Sequence, residues 1–265
     1  MTLRRSFATR TAPSALSERM EDPAVDEETF RDCLASLASV NRASFGYGPT
    51  LRFAQRVVER HGRARPLRIL DVGSGYGDTL RALARRLDTL AVPAELTGAD
   101  LNPDAARAAA KAPPPDTPRV SIRYVTRDAR ALGAAEAPDA IVSALFCHHL
   151  EDAEIVAFLR FMEETARIGW FVNDLYRSGF AARGFGALAT LTLRHPIVRH
   201  DGPVSFARAF RRADWERLLA EAGVTGARIF IGAPFRLCVE KLHDEAVVRQ
   251  RVSRMRRGEK GSRLG

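Results

Sequence analysis

Hydrophobic positions divide the chain into short apolar runs and longer amphipathic stretches. Leu67, Ile69, Leu70 and Val72 form a run with the pattern of a buried strand, and it stops at glycines 73, 75 and 77. Behind the glycines, Leu80, Leu83, Ala84 and Leu87 recur at helical spacing among arginines, which predicts an amphipathic helix. The alternation repeats downstream. Residues 95–102 read as a second strand, and Asn102-Pro103 then opens a helix with a cap and a first-turn proline. Residues 120–126 alternate as a third strand, 139–146 form a fourth, 151–167 a helix and 168–172 a fifth strand. Strand and helix in strict turn predict an α/β fold: parallel strands joined by right-handed crossovers, with ligands at their carboxyl ends.

The flanks read differently. Residues 1–25 show no period and are expected to be a disordered leader, with a transit peptide as the alternative. From Asp26 on, Phe30, Leu34, Leu37 and Val40 mark a helix that Gly46 and Gly48 break, and a second helix runs from Pro49 to about His61. After the fifth strand comes an apolar insertion, residues 179–200, carrying Phe180, Phe185, Leu188, Leu191 and Leu193 and closed by His195-Pro196; it suits a lid over an apolar substrate or a dimer contact. Asp214, Trp215, Leu218 and Leu219 describe a last helix with Gly223 as its stop, and residues 227–232 and 235–240 a terminal hairpin. The expected units are therefore 1–25, a helical cap 26–63, a main domain 64–241 and a basic tail 242–265.

Glycine spacing narrows the ligand. A dinucleotide turn needs G-x-G-x-x-G, but these glycines fall at 73, 75 and 77 with Asp78 following, where a phosphate would be repelled; no P-loop lysine is present either. Acidic residues instead stand at successive strand ends: Asp71, Asp100 and Asp128. The series Asp71-x-Gly73-x-Gly75-x-Gly77, Asp100-Leu101, Asp128-Ala129 and the His148-His149-Leu150 after strand four together resemble class I S-adenosylmethionine-dependent methyltransferases, over roughly residues 45–240. The resemblance implies a Rossmann-like, doubly wound, mostly parallel seven-stranded sheet with an antiparallel last strand, plus the N-terminal helices and the helical insertion before the hairpin. It implies S-adenosyl-L-methionine as cofactor, held by Asp71, Gly73, Ser74, Gly75, Tyr76 and Gly77, with Asp100 and Leu101 at the ribose, and Asp128, Ala129 and Ala144 nearby. A carboxylate with two acceptor oxygens suits paired ribose hydroxyls.

The sequence also looks like bacterial methyltransferases of quinone and polyketide-lipid pathways, through residues 143–150, 172–178 and 200–205. That implies O- or C-methylation of a small lipophilic acceptor of phenolic, quinone or polyketide type. His148 and His149 are candidates for the base or for orienting the acceptor, while Tyr47, Asn173, Tyr176 and Phe180 are candidates for holding it. The polar groups of residues 173–178 read either as facing the cleft or as a capped helix start at Asp174 or Ser178. The signatures of amino-group and cytosine-C5 nucleic-acid methylases are absent.

Composition adjusts this picture at the edges. With 265 residues, 46% of them hydrophobic, the chain can bury one substantial core. Three scattered cysteines, Cys33, Cys147 and Cys238, argue against a disulfide framework or a clustered zinc site; no metal is expected, and a reducing cytoplasm fits. A net charge of +9 keeps an RNA methyltransferase as an alternative, and a non-catalytic cofactor-binding scaffold is a second. Much of that charge lies in the tail, where Val247, Val248, Val252 and Met255 share one helical face among arginines; peripheral contact with an anionic membrane is an expectation for that segment. The protein is read as a monomer or homodimer.

Overall fold

The structure is a computed structural model that describes residues 9–62, 64–131, 137–180, 182, 184 and 195–244. Asp26 caps the first helix, α1 (Glu27–Ala43), by accepting from the Thr29 amide, and α2 (Gly48–His61) follows after a short turn. The alternating part comprises β1 (Leu67–Val72), α3 (Asp78–Thr89), β2 (Ala94–Asp100), α4 (Pro103–Lys111), β3 (Val120–Thr126), β4 (Ala140–Ala144), α5 (Asp152–Thr165) and β5 (Gly169–Leu175). Helices α6 (Pro196–Arg208) and α7 (Arg212–Ala222) precede β6 (Arg228–Ala233) and β7 (Arg236–Leu242).

The strands form one seven-stranded sheet in the order β3-β2-β1-β4-β5-β7-β6. β1 pairs in parallel with β2 on one side and β4 on the other, whereas β7 runs antiparallel to both β5 and β6. The expected sheet, antiparallel last strand included, is the one observed. Strand order reverses at β1 and β4, so the crossovers leave in opposite directions there and open a crevice beyond the strand ends.

Two apolar layers sandwich the sheet, which is why β1 reads as a continuous apolar run. Leu70 and Val72 face one layer with Ile155, Leu159, Met162, Trp170, Trp215 and Leu218 from α5, β5 and α7. Ile69 faces the other with Phe53, Val57, Leu80 and Leu83 from α2 and α3, where Phe53 stacks on Phe171 at 5.1 Å. All three cysteines are buried and unbridged.

Three expectations need correction. β5 continues to Leu175, so Asn173 and Asp174 are buried strand residues and not a helix cap. His195-Pro196 opens α6 instead of closing the insertion, and Pro203 is carried inside that helix; Phe185, Leu188, Leu191 and Leu193 lie outside the described residues. From residue 9 on, the leader is a strap laid against the body. Arg10 donates to Arg208 O, Asp152 and Leu150 O, and Thr11 N donates to Ala207 O. These are backbone and charge contacts, which leave no hydrophobic period in the sequence. Leu242 belongs to β7, and the tail residues 245–265 are outside the described part, as are Val247, Val248, Val252 and Met255. Among the described residues no helix is long and apolar enough to cross a membrane.

Candidate active site

The glycine turn follows from β1 running into α3 with no room for side chains. Gly73 has φ 69°, and a Cβ there would lie 2.3 Å from Phe146 Cδ2. Gly77, at φ 70°, precedes α3, and a Cβ there would lie 2.5 Å from the Tyr124 ring. Gly73 N donates to Ala99 O at 2.9 Å and Gly77 N to Ser74 O at 2.8 Å, which fixes the turn. Asp100, at the end of β2, braces it from the side: Oδ2 accepts from Gly75 N and Oδ1 from Asn102 N, each at 2.9 Å. Every carboxylate oxygen has a second lone pair, so both retain acceptor capacity toward a ligand.

Asp71 is the anomaly in this turn. It is 1% exposed and its Oδ1 has no hydrogen-bond partner. Burial, then the charges of Asp78 and Asp100, push its pKa well above the ordinary carboxylate range. A buried, unpaired acceptor of this kind is costly in the absence of a cation or donor.

Beyond the strand ends lies a cavity of about 330 Å³. Its floor is Asp71, Gly73, Ser74, Gly75, Tyr76 and Asp100 from the turns. Phe30, Leu34, Leu37 and Ala38 of α1 form an apolar roof. Ala144, Leu145, Phe146, His148 and His149 after β4 face Val198, Asp201, Ser205 and Phe206 of α6 and Glu18, Met20 and Glu21 of the strap. Leu145 and Phe235 both line it with left-handed backbone, at φ 56° and 65°. Side chains rarely tolerate that conformation, which costs about 1–3 kcal/mol and is characteristic of functional walls.

Nine of the expected residues therefore meet at one cavity: Asp71, Gly73, Ser74, Gly75, Tyr76, Asp100, Ala144, His148 and His149. Others do not reach it. Gly77 serves as the left-handed residue before α3, Leu101 is exposed, Asp128 is engaged by Arg130, and Ala129 is packed in the core. None of the four acceptor-side candidates lines the wall either. The Tyr47 hydroxyl sits 2.7 Å from Asp78 Oδ2 and 2.9 Å from Ala38 O; Asn173 Nδ2 donates to Gly46 O and Thr50 Oγ1. Tyr176 packs against the core and Phe180 is exposed.

The two histidines, adjacent in sequence, are held by different partners. His148 is buried, its Nδ1 2.7 Å from Asp174 Oδ1, and its amide donates to Asp174 Oδ2 at 3.2 Å. Burial opposes ionisation of Asp174, but the His148 charge and hydrogen bond and the Leu175 amide hold its pKa below the ordinary range. A carboxylate on Nδ1 sets the tautomer that leaves the Nε2 lone pair free. Nε2 lies 3.9 Å from Glu18 Oε1, beyond hydrogen-bonding distance, with both groups on the cavity wall.

His149 turns instead to the strap, its Nδ1 2.7 Å from Glu21 Oε1. Burial disfavours its charged form, yet the Glu21 hydrogen bond and the charges of Glu18 and Glu21 raise its pKa above the ordinary value. Arg208 grips Glu21 with both terminal nitrogens at 2.9 Å and donates from Nε to Leu16 O, and Asp201 accepts the amides of Arg19 and Met20. Ser205 Oγ donates to Glu18 Oε1 at 2.6 Å. Glu18, His148 and His149 are close enough to share a metal ion. The Arg208 guanidinium, 3.5 Å from Glu18 Oε1, already balances the carboxylates without one. Sequence reasoning missed Glu18, Glu21, Asp201 and Arg208 because the segments carrying them show no helical or strand period.

Residues 69–169 match the methyltransferase domain family. No curated protein sequence matches the chain. Among solved structures, the plantazolicin methyltransferase BpumL, in complex with a monoazolic desmethylPZN analog and SAH, superposes with a TM-score of 0.55 at 15% identity, over 79% of this chain and 89% of that one. A SAM-dependent methyltransferase from Aquifex aeolicus gives 0.52 at 14% identity, over 82% and 98% of the two chains. At such identities the likeness is one of fold. Residues 69–169, the stretch that matches that family, hold the glycine turn and the two histidines after β4, and the fold around them is the one these structures share.

Proposed function

We propose that this domain takes its methyl group from S-adenosyl-L-methionine and places it on a small lipophilic acceptor of phenolic, quinone or polyketide type, at oxygen or carbon. The residues present fit the donor. The unpaired Asp71 Oδ1 suits its ammonium, the spare lone pairs of Asp100 suit its ribose hydroxyls, and the glycine turn lets backbone approach closely. When bound, the donor supplies an electrophilic methyl on a sulfonium. The chain then has to align an acceptor, exclude water and remove a proton where the acceptor carries one.

The observation that carries this reading is the buried Asp174–His148 pair opening onto a largely apolar cavity that begins at the glycine turn. Asp174 orients the ring, His148 Nε2 accepts the acceptor's proton, and Asp174 stabilises the resulting imidazolium. Phe30, Leu34, Leu37 and Phe206 give the acceptor an apolar seat, and Glu18 and Ser205 offer polar contacts beside the base. His149 belongs to the strap in this scheme. The test is turnover of methyl-labelled donor with lipophilic phenols and quinones by the wild type and by His148→Gln. Equal rates in the two proteins would remove the base from the mechanism.

A further inference from the structure

A second group on the cavity wall lacks a partner. Arg236 opens β7, is 5% exposed, and reaches the cavity; Nη2 donates to Asn41 Oδ1, but Nη1 has no hydrogen-bond partner. The sheet does not require an arginine here, because its backbone pairs with that of Leu175 and an apolar residue would pack more cheaply. Burial lowers its pKa, opposed by the charges of Asp174, Cys238 and Asp78. Its place is fixed: a Cβ on Gly46 would already lie 3.2 Å from Nη2.

The side chain is also tied to the glycine turn. Asn41 accepts from Arg236 and donates to Asp78 Oδ2 at 3.3 Å, and Asp78 is the first residue of α3. Two residues that line one cavity, Asp71 and Arg236, thus each carry a buried side-chain atom without a partner, an acceptor at Asp71 Oδ1 and a donor at Arg236 Nη1. That pair is the complement of an α-amino-acid zwitterion. We infer that Arg236 is a carboxylate anchor, its Nη1 holding the carboxylate at the methionine end of the donor while Asp71 holds the ammonium. The assignment rests on the donor reading above.

The test compares S-adenosylhomocysteine with 5′-methylthioadenosine, which keeps the nucleoside and thioether and lacks the amino acid. Both are titrated into the full wild-type chain, Arg236→Met and Arg236→Lys. Arg236→Met should bind S-adenosylhomocysteine about tenfold to a hundredfold more weakly, the range of a charge-assisted hydrogen bond, with methylthioadenosine unchanged and Lys recovering part of the loss. If Arg236→Met does not fold, the wild type still decides: the carboxamide of S-adenosylhomocysteine should bind at least about tenfold more weakly than the acid. Equal weakening of both nucleosides, or of neither, overturns the assignment while leaving the donor reading intact. Failure of either nucleoside to bind the wild type overturns the donor reading and this assignment with it. Benzoate that binds the S-adenosylhomocysteine-loaded wild type and not Arg236→Met, with nucleoside affinity unaltered, would move the anchored carboxylate from donor to acceptor.

Discussion

A single backbone choice at Leu145 sets much of the site. Its left-handed conformation ends β4 abruptly, seats the Phe146 ring against Gly73, and starts the turn that delivers His148 to Asp174. His148→Gln should lower kcat by about 10²–10⁴-fold, the usual range for loss of a general base, while calorimetry shows unchanged affinity for S-adenosylhomocysteine. Asp174→Asn should lower kcat in the same direction, because the amide can stabilise neither the required tautomer nor the imidazolium. Asp100→Ala, by contrast, should cost about 1–3 kcal/mol of cofactor affinity, read by the same calorimetry, through lost ribose contacts and a looser turn. At this scale the places of Asp71, Asp100, Gly73 and Gly75 at the cavity were legible, because few residue types serve a tight turn at a strand end, whereas Asp128 is spent on Arg130. Asp174 was only half legible: its partner lies at His148, and nothing local distinguishes a buried strand acid from a helix cap. Tyr47 and Asn173 misled for the converse reason, since a polar group near a cleft can be spent on backbone carbonyls and neighbouring helices.

Among the elements, the strap and α6 form the part of the wall that strand and helix periodicity does not announce. α6 has no single apolar face: Val198, Asp201, Val204 and Arg208 are all buried, because the strap covers the side that solvent would otherwise wet. Asp201→Ala should release the amides of Arg19 and Met20 and raise hydrogen exchange across residues 9–25, leaving the sheet protected. pH should act through His149. Its folded pKa is raised, so its contribution to strap closure is complete below the unfolded value of about 6.5 and is lost as pH rises through the folded value. Glu21 works with the opposite sign. Burial opposes its charge, but His149 and Arg208 hold its pKa down, so its contribution is present above the ordinary carboxylate range and lost only on deep acidification. Arg208 stays charged throughout and keeps Glu21 after His149 is neutral, so closure should weaken at high pH without vanishing. Proteolysis within residues 9–25 should therefore be faster at about pH 8.5 than at about pH 5.5 relative to a control substrate, and His149→Ala should abolish the difference.

The architecture of the whole molecule was the most legible level. A central sheet covered on both faces forces continuous apolar strands, and alternation with helices leaves few topologies; the order β3-β2-β1-β4-β5-β7-β6 follows with a terminal hairpin folded back beside β5. The net charge of +9 was less informative, because a surface excess of arginine serves solvation, nucleic acid and membranes alike. Removal of residues 245–265 should preserve turnover on a soluble acceptor analogue and reduce sedimentation with anionic vesicles at low salt; equal sedimentation of both proteins would detach the tail from any membrane role. The central claim is methyl transfer to a small lipophilic acceptor, and it is tested most directly by incubating the full chain with methyl-labelled S-adenosylmethionine in the presence of both a lipophilic phenol and quinone mixture and total RNA. The account predicts label in the organic-extractable fraction, falling about 10²–10⁴-fold with His148→Gln; label that accumulates in RNA, or organic-phase label indifferent to His148, would contradict it.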